Sequence, residues 1–214
     1  MTHSTQIIAS VKNTYNKIGK EFSASRQYIW PDLKPFLKNV KPNSSVLDIG
    51  CGNGRLLLGL PQNINYTGID ISQELLKEAQ KAHPKQKFIE TDIIKDQIWK
   101  HLPQYDYIFC VAVIHHLPTE KEQLFVLNQI KKHLKPKGKV LITTWNLWQH
   151  KYLKYHLDLN TKLKNIHHVY IPFQKKPRFC FAVTTFYLKK LLKQAHFKLQ
   201  VKKSPHNYLL SNLS

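Results

Sequence analysis

A chain of 214 residues with a 42% hydrophobic fraction is long enough to bury a sizeable core, and it carries no low-complexity tract. No apolar run approaches a membrane span, and Met1-Thr2-His3-Ser4 has no signal-peptide pattern. Cys51, Cys110 and Cys180 are odd in number and lack metal spacing, so a single domain over 1–214 with reduced thiols, cytoplasmic and not membrane-bound, is expected.

The formal charge is +20, and it is unevenly placed: residues 1–120 carry 14 Lys and Arg against 11 Asp and Glu, whereas residues 121–214 carry 19 against 2. A field of that strength on one half raises the local concentration of a polyanion, and RNA is the partner it points to. A lysine-rich style that serves only solubility would have charged both halves alike.

In chain order, apolar positions at Ile7, Ile8, Val11, Tyr15, Ile18 and Phe22 follow a helical spacing, and a short helix starts at Pro31, so residues 1–40 form an N-terminal helical cap. Strand Ser45–Ile49 leads into a glycine loop and a helix after Gly54; a second strand ends at Ile69. A helix capped by Ser72 follows, then strand Lys87–Thr91, strand Asp106–Val113, and a helix from Thr119 to His133. Lys135-Pro136-Lys137-Gly138 reads as a turn before strand Lys139–Trp145. Residues 146–182 are rich in Lys, His and aromatics and read as an irregular insert with one short helix, on the substrate side. Helix Thr184–Gln194 and strands Phe197–Lys203 and Asn207–Asn212 close the chain. The alternation predicts a Rossmann-like α/β fold: a mostly parallel seven-stranded sheet with a C-terminal antiparallel hairpin.

The stretch Val46-Leu47-Asp48-Ile49-Gly50-Cys51-Gly52-Asn53-Gly54-Arg55 is a strand, a tight turn and a helix start. A dinucleotide fingerprint needs glycine at the place held by Arg55, so nicotinamide chemistry is disfavoured. Two further strands also end in acids, at Asp70 and Asp92. Asp48-x-Gly50-x-Gly52-x-Gly54 resembles the first motif of class I S-adenosylmethionine-dependent methyltransferases, whose cofactor has cationic amino and sulfonium groups that welcome a nearby carboxylate. The resemblance implies that Asp70 takes the ribose hydroxyls and that Asp92, with the backbone of Ile93, faces the adenine. It brings Tyr15, Arg26, Asp48, Gly50, Cys51, Gly52, Asn53, Gly54, Asp70, Ile71, Asp92, Ile93, Val111 and Ala112 to the cofactor.

A narrower resemblance comes from Tyr15-x-x-Ile18-Gly19-x-x-Phe22, Ser25-Arg26, Trp30-Pro31, Ile114-His115-His116-Leu117 and Trp145. These resemble segments of the tRNA wobble-uridine carboxymethyl methyltransferase family, which forms a methyl ester on a carboxymethyl group of an anticodon uridine. The likeness covers about residues 11–146. Arg178-Phe179-Cys180-Phe181 keeps that family's Arg and aromatics, but Phe181 stands where a His is expected, which leaves the acceptor open. Some members need a small zinc-binding activator, a partner the resemblance allows and nothing in the residues indicates.

A carboxylate acceptor is already ionised at neutral pH and needs a cation rather than a base. Arg26 and Arg178 are the candidates to hold it or the methionine carboxylate, with Arg55 the one other Arg in the chain. His115 and His116, after the fourth strand, are candidates for a base or a hydrogen-bond donor. Val111-Ala112-Val113 stands where an adenine-amine methyltransferase would have Asn/Asp-Pro-Pro-Tyr. Trp145, Trp148, Tyr152, Tyr155 and Tyr170 interleave with Lys151, Lys154, Lys162 and Lys164, which suits unstacked bases and equally a packed lid. His156, His167, His168, His196 and His206 have no ligand spacing, so no metal site is read. The alternatives are a methyltransferase of a small acidic metabolite and a non-catalytic RNA-binding protein on the same fold.

Overall fold

Apolar runs in the first two thirds of the chain become parallel strands with helices on both faces. The computed structural model describes residues 2–157, 165–173 and 176–212. Its main sheet holds seven strands in the order β3-β2-β1-β4-β5-β9-β8. These are β1 (Ser45–Ile49), β2 (Asn65–Asp70), β3 (Lys87–Glu90), β4 (Tyr105–Val111) and β5 (Leu134–Trp145), all parallel, with β8 (Gln200–Lys203) and β9 (Asn207–Ser211) as the antiparallel pair. Alternation along the strands feeds two cores: Leu47, Ile49, Ile108 and Cys110 face one side, and Val46, Tyr107, Phe109 and Leu141 the other. Phe109 is 1% exposed, and burying a side chain of that size contributes about 2–3 kcal/mol.

Helix α1 (His3–Ala24) packs on α3 (Gln73–Ala82) and on β7 (Lys176–Phe181). Its apolar spacing buries Ile7, Ile8, Val11 and Ile18. Helix α2 (Lys34–Leu37) follows a short 3-10 turn, Pro31–Leu33. A short helix, α4 (Asp96–Trp99), precedes β4. The Ser72 hydroxyl caps α3 by accepting from Leu75 N, and α5 (Glu120–His133) begins with a capping box in which Thr119 and Glu122 satisfy each other's backbone N–H. Among the described residues no helix is long and apolar enough to cross a membrane.

Three expectations need correction. The helix predicted after Gly54 is one 3-10 segment, Arg55–Gly59, because Pro61 forces Leu60 into an extended conformation (ψ 154°) and ends it. The turn predicted at 135–138 is part of β5: Leu134 already pairs with Tyr105, and a register shift between Tyr105 and Tyr107 absorbs the extra residues. The described residues of the insert are not irregular. They contain α6 (His150–Leu153) and an antiparallel hairpin of β6 (His168–Phe173) and β7, in which Val169, Ile171 and Cys180 turn inward while Tyr170 stays outside. Lys and His flanks and the Pro172–Pro177 pair hid that alternation. Of the interleaved lysines, Lys162 and Lys164 lie outside the described residues. The last helix, α7 (Thr185–Gln194), begins one residue after the predicted start, with Thr184 as its cap.

Candidate functional site

Strand order reverses between β1 and β4, and in open α/β sheets ligands bind beyond the carboxyl ends of the strands at that point. An open pocket of about 1180 Å³, counting space that merges with solvent, lies there. Tyr15, Arg26, Asp48, Gly50, Cys51, Gly52, Asn53, Asp70, Ile71, Asp92, Ile93, Val111, Ala112 and His116 all line it. So do Ile8, Val11 and Phe22 of α1, and also Trp145. Three predicted residues do not: Gly54 sits behind the loop against Ala79 and His83, while His115 and Arg178 are buried against Trp145.

The loop after β1 takes its shape from Gly50 and Gly52, with φ of +67° and +55°. A Cβ on Gly50 would collide with Val113, whereas one on Gly52 would meet nothing nearer than Leu75 Cδ1 at 3.9 Å. Gly50 therefore allows the β1 and β4 loops to approach each other, and Gly52 leaves room beside them. Across the pocket, Ala112 also takes a left-handed conformation (φ +60°), a cost of about 1–2 kcal/mol for a residue with a Cβ.

The acids form the first wall. Asp70 accepts from Gly52 N and Ser72 N at 2.8 Å each, which ties the glycine loop to the start of α3. Asp48 accepts from Tyr66 Oη at 2.8 Å. Burial pushes Asp48 up to about 7; the Tyr66 hydrogen bond and Arg55 oppose this, and Asp70 adds to it. Asp70 and Asp92 are raised too, both chiefly by burial.

The opposite wall is lined by neutral groups, His116 and Trp145, with a buried cation, Arg178, behind them. His116 Nδ1 donates to Phe179 O at 2.7 Å, so its Nε2 is the acceptor for the Tyr15 hydroxyl at 2.9 Å. Burial holds His116 near 4, aided by the Arg178 cation against the Phe179 carbonyl, and it holds His115 well below its ordinary value. Both rings are neutral at pH 7. His115 Nδ1 accepts from Trp145 N, leaving its Nε2 as a buried N–H with no partner among the described residues. Arg178 is 5% exposed, and its guanidinium lies between the rings of Trp145 (4.9 Å) and Phe173 (5.1 Å). Its Nε and Nη1 have no partner among the described residues either.

His115, His116 and Cys180 also bring one ligand atom each within 4.8 Å, a proximity that spacing in the sequence could not reveal. The neighbouring Arg178 cation works against a metal ion there. Phe181, the substitution that left the acceptor open, is 3% exposed and does not line the pocket. It stacks on His167 at 4.8 Å and lies 5.1 Å from Tyr187.

Helix α1 is latched over the pocket. Asn53 Nδ2 donates to Ser23 Oγ at 3.1 Å, Ser72 Oγ donates to Asn16 Oδ1 at 2.8 Å, and Gly19 lets the backbone approach Glu74. In the insert, Trp148 (42% exposed) and Tyr170 (37%) stay at the surface, while Tyr152 and Tyr155 pack on the hairpin core.

Arg55 is a charged pocket residue that spacing did not single out as a ligand contact. Its guanidinium lies 4.3 Å over the Trp30 ring, with Nη1 buried and without a partner among the described residues. Its position after the third glycine was the available signal.

These features fit S-adenosylmethionine: raised carboxylates where a cation would settle, and a glycine without a side chain to fill the wall. Known proteins point the same way. A model of the methyltransferase domain matches residues 22–201. A tRNA (carboxymethyluridine(34)-5-O)-methyltransferase from Arabidopsis thaliana is 32% identical over 153 residues, covering 66% of this chain and 37% of its own length. Its counterpart in Saccharomyces cerevisiae is 32% identical over 143 residues, covering 65% and 49%. The chain thus spans less than half of these curated relatives. An S-adenosylmethionine-dependent methyltransferase structure from Methanosarcina mazei matches with a TM-score of 0.69 at 19% identity, covering 86% of this chain and 97% of the other. By family and fold, the chain belongs to the S-adenosylmethionine-dependent methyltransferases, through the methyltransferase domain that spans residues 22–201.

Proposed function

We propose that the protein methylates a carboxylate to an ester, and that its acceptor is the carboxymethyl group of a tRNA wobble uridine. One observation supports this most: Arg178 Nε and Nη1 and His115 Nε2 are three buried donors without partners beside the pocket, among the described residues. Donors closed from water are costly until an acceptor meets them, and an anion with two oxygens suits a guanidinium best. The relatives named above act on carboxymethyluridine 34 of tRNA, and the charge of residues 121–214 supports an RNA acceptor here.

S-adenosylmethionine supplies an electrophilic methyl group on a good leaving group. The chain's own work is alignment and exclusion of water. Arg178 orients the acceptor carboxylate, which enters ionised, so neutral His115 and His116 position rather than take a proton. Tyr15 holds His116 from α1, and Ile8, Val11 and Phe22 keep that side of the pocket dry. Asp48 and Asp70 face the cationic and ribose parts of the methyl donor, and Asp92 the adenine. The whole chain then works as one methyltransferase domain, with residues 1–40 as cap and 146–182 on the acceptor side.

Labelled methyl transfer to total RNA across a salt series tests this. Label in tRNA that falls steeply with salt supports it; salt-indifferent transfer to a small acid, with none to RNA, would replace the tRNA acceptor by a metabolite.

A further inference from the structure

All six ion pairs among the described residues use lysine, and none of the three arginines has a carboxylate partner there. Arg178 stands on the acceptor side. The other two converge on the far wall, where Arg26 and Arg55 both line the pocket close enough for the Arg26 charge to help burial lower Arg55 to about 10. Two cations driven together in a half-buried wall repel each other, and the arrangement is relieved by an anion placed between them.

The local chain geometry aims Arg55 at that place. Gly54 (φ +74°) turns the backbone at the start of the 3-10 segment, and Trp30 holds the guanidinium plane from below at 4.3 Å. Stacking restricts the guanidinium, and its Nη1 is buried and unpartnered among the described residues, while Arg55 itself lines the pocket. Arg26 is held less tightly: among the described residues its side-chain donors reach only Ser25, and its guanidinium lies 5.0 Å over Phe22. Asp48 is near enough to be felt by Arg55 but is hydrogen-bonded to Tyr66 instead.

We propose that Arg55, stacked on Trp30 and assisted by Arg26, is the anchor for the carboxylate of the methionine moiety of S-adenosylmethionine. The assignment rests on the reading of the pocket as the site of that molecule. The arginines then have separate roles, since Arg55 and Arg26 hold the donor's carboxylate and Arg178 holds the acceptor's.

Calorimetry with two nucleosides on wild type, Arg55→Ala and Arg55→Lys tests the assignment. S-adenosylhomocysteine carries the amino-acid carboxylate; 5′-methylthioadenosine lacks it and keeps the adenosine. Arg55→Ala is expected to weaken S-adenosylhomocysteine about 10- to 100-fold and to leave methylthioadenosine within about twofold, with Arg55→Lys in between. Methylthioadenosine thereby reports whether each variant keeps a folded pocket. Equal losses for both nucleosides would make Arg55 a packing residue, and an unchanged S-adenosylhomocysteine affinity would also overturn the assignment. If wild type bound neither nucleoside, the donor reading would fall with it, a result separable from the other two.

Discussion

The two walls of the pocket carry opposite electrostatics. On the β1–β2 side, burial raises Asp48 to about 7 and raises Asp70, so the wall gains from a cation. On the β4–β7 side, two histidines are held neutral and Arg178, behind the lining residues, is buried without a carboxylate partner among the described residues, so that side gains from an anion. A cationic methyl donor facing an anionic acceptor is the chemistry that matches such a polarity. The carboxylates of the first wall, Asp48 and Asp70, have hydrogen-bond partners within the chain, whereas Arg178 Nε and Nη1 and His115 Nε2 on the second side have none among the described residues.

The largest break in this contrast is expected from Arg178→Ala. Transfer to a carboxylate acceptor should fall roughly 10²–10³-fold in kcat/KM, while calorimetry shows S-adenosylhomocysteine binding within about threefold of wild type. Equal losses in both would erase the distinction between the walls. Next comes Gly50→Ala, whose methyl would collide with Val113 at a positive φ; a stability loss of about 2–4 kcal/mol is expected in denaturant melts. Gly52→Ala, at a similar φ but facing open space, should cost only about 1–2 kcal/mol and act on donor binding instead. Tyr15→Phe removes the donor to His116 Nε2 and should lower turnover about tenfold without changing donor affinity, read from steady-state kinetics.

A smaller effect concerns pH. Asp48, folded near 7, lies above an unfolded carboxylate, so it favours the fold at low pH and costs stability as pH rises from about 4 to 7. A cation beside it removes that cost and displaces a proton. S-adenosylmethionine affinity should therefore rise several-fold from pH 6 to 8, with proton release visible in buffers of different ionisation enthalpy. Methylthioadenosine, without charge, should show no such rise. The groups acting on Asp48 are Tyr66, Asp70 and Arg55, and a flat profile would remove it from the donor's surroundings. The smallest change in chemistry is expected from Phe181→His. It should lose about 1–3 kcal/mol in a thermal or denaturant melt and leave the acceptor unchanged, because Phe181 packs on His167 and Tyr187 rather than in the pocket.

The first wall was legible in the sequence because local signals place it. Asp48, Asp70 and Asp92 end or follow apolar runs, and Ser72 and Thr119 cap the helices where a hydroxyl should. The second wall was legible in its residues but not in its geometry. Arg178 and His115 were named, yet their burial depends on β7 crossing beside the β4 loop, a contact between residues more than sixty apart. The β6–β7 hairpin was missed because its Val169–Ile171 alternation spans only a few residues among lysines and prolines. Arg55 was named but not chosen, because its place in the pocket depends on stacking on Trp30, a contact that spacing does not show.

The most direct test of the opposed walls is the alkali lability of the methyl group transferred to RNA, by wild type and by Arg178→Ala, each with its S-adenosylhomocysteine affinity measured. An ester on tRNA that mild alkali releases as methanol, lost in the variant although the donor still binds, is the expected result. An alkali-stable methyl group, or ester formation by Arg178→Ala at the wild-type rate, would contradict it.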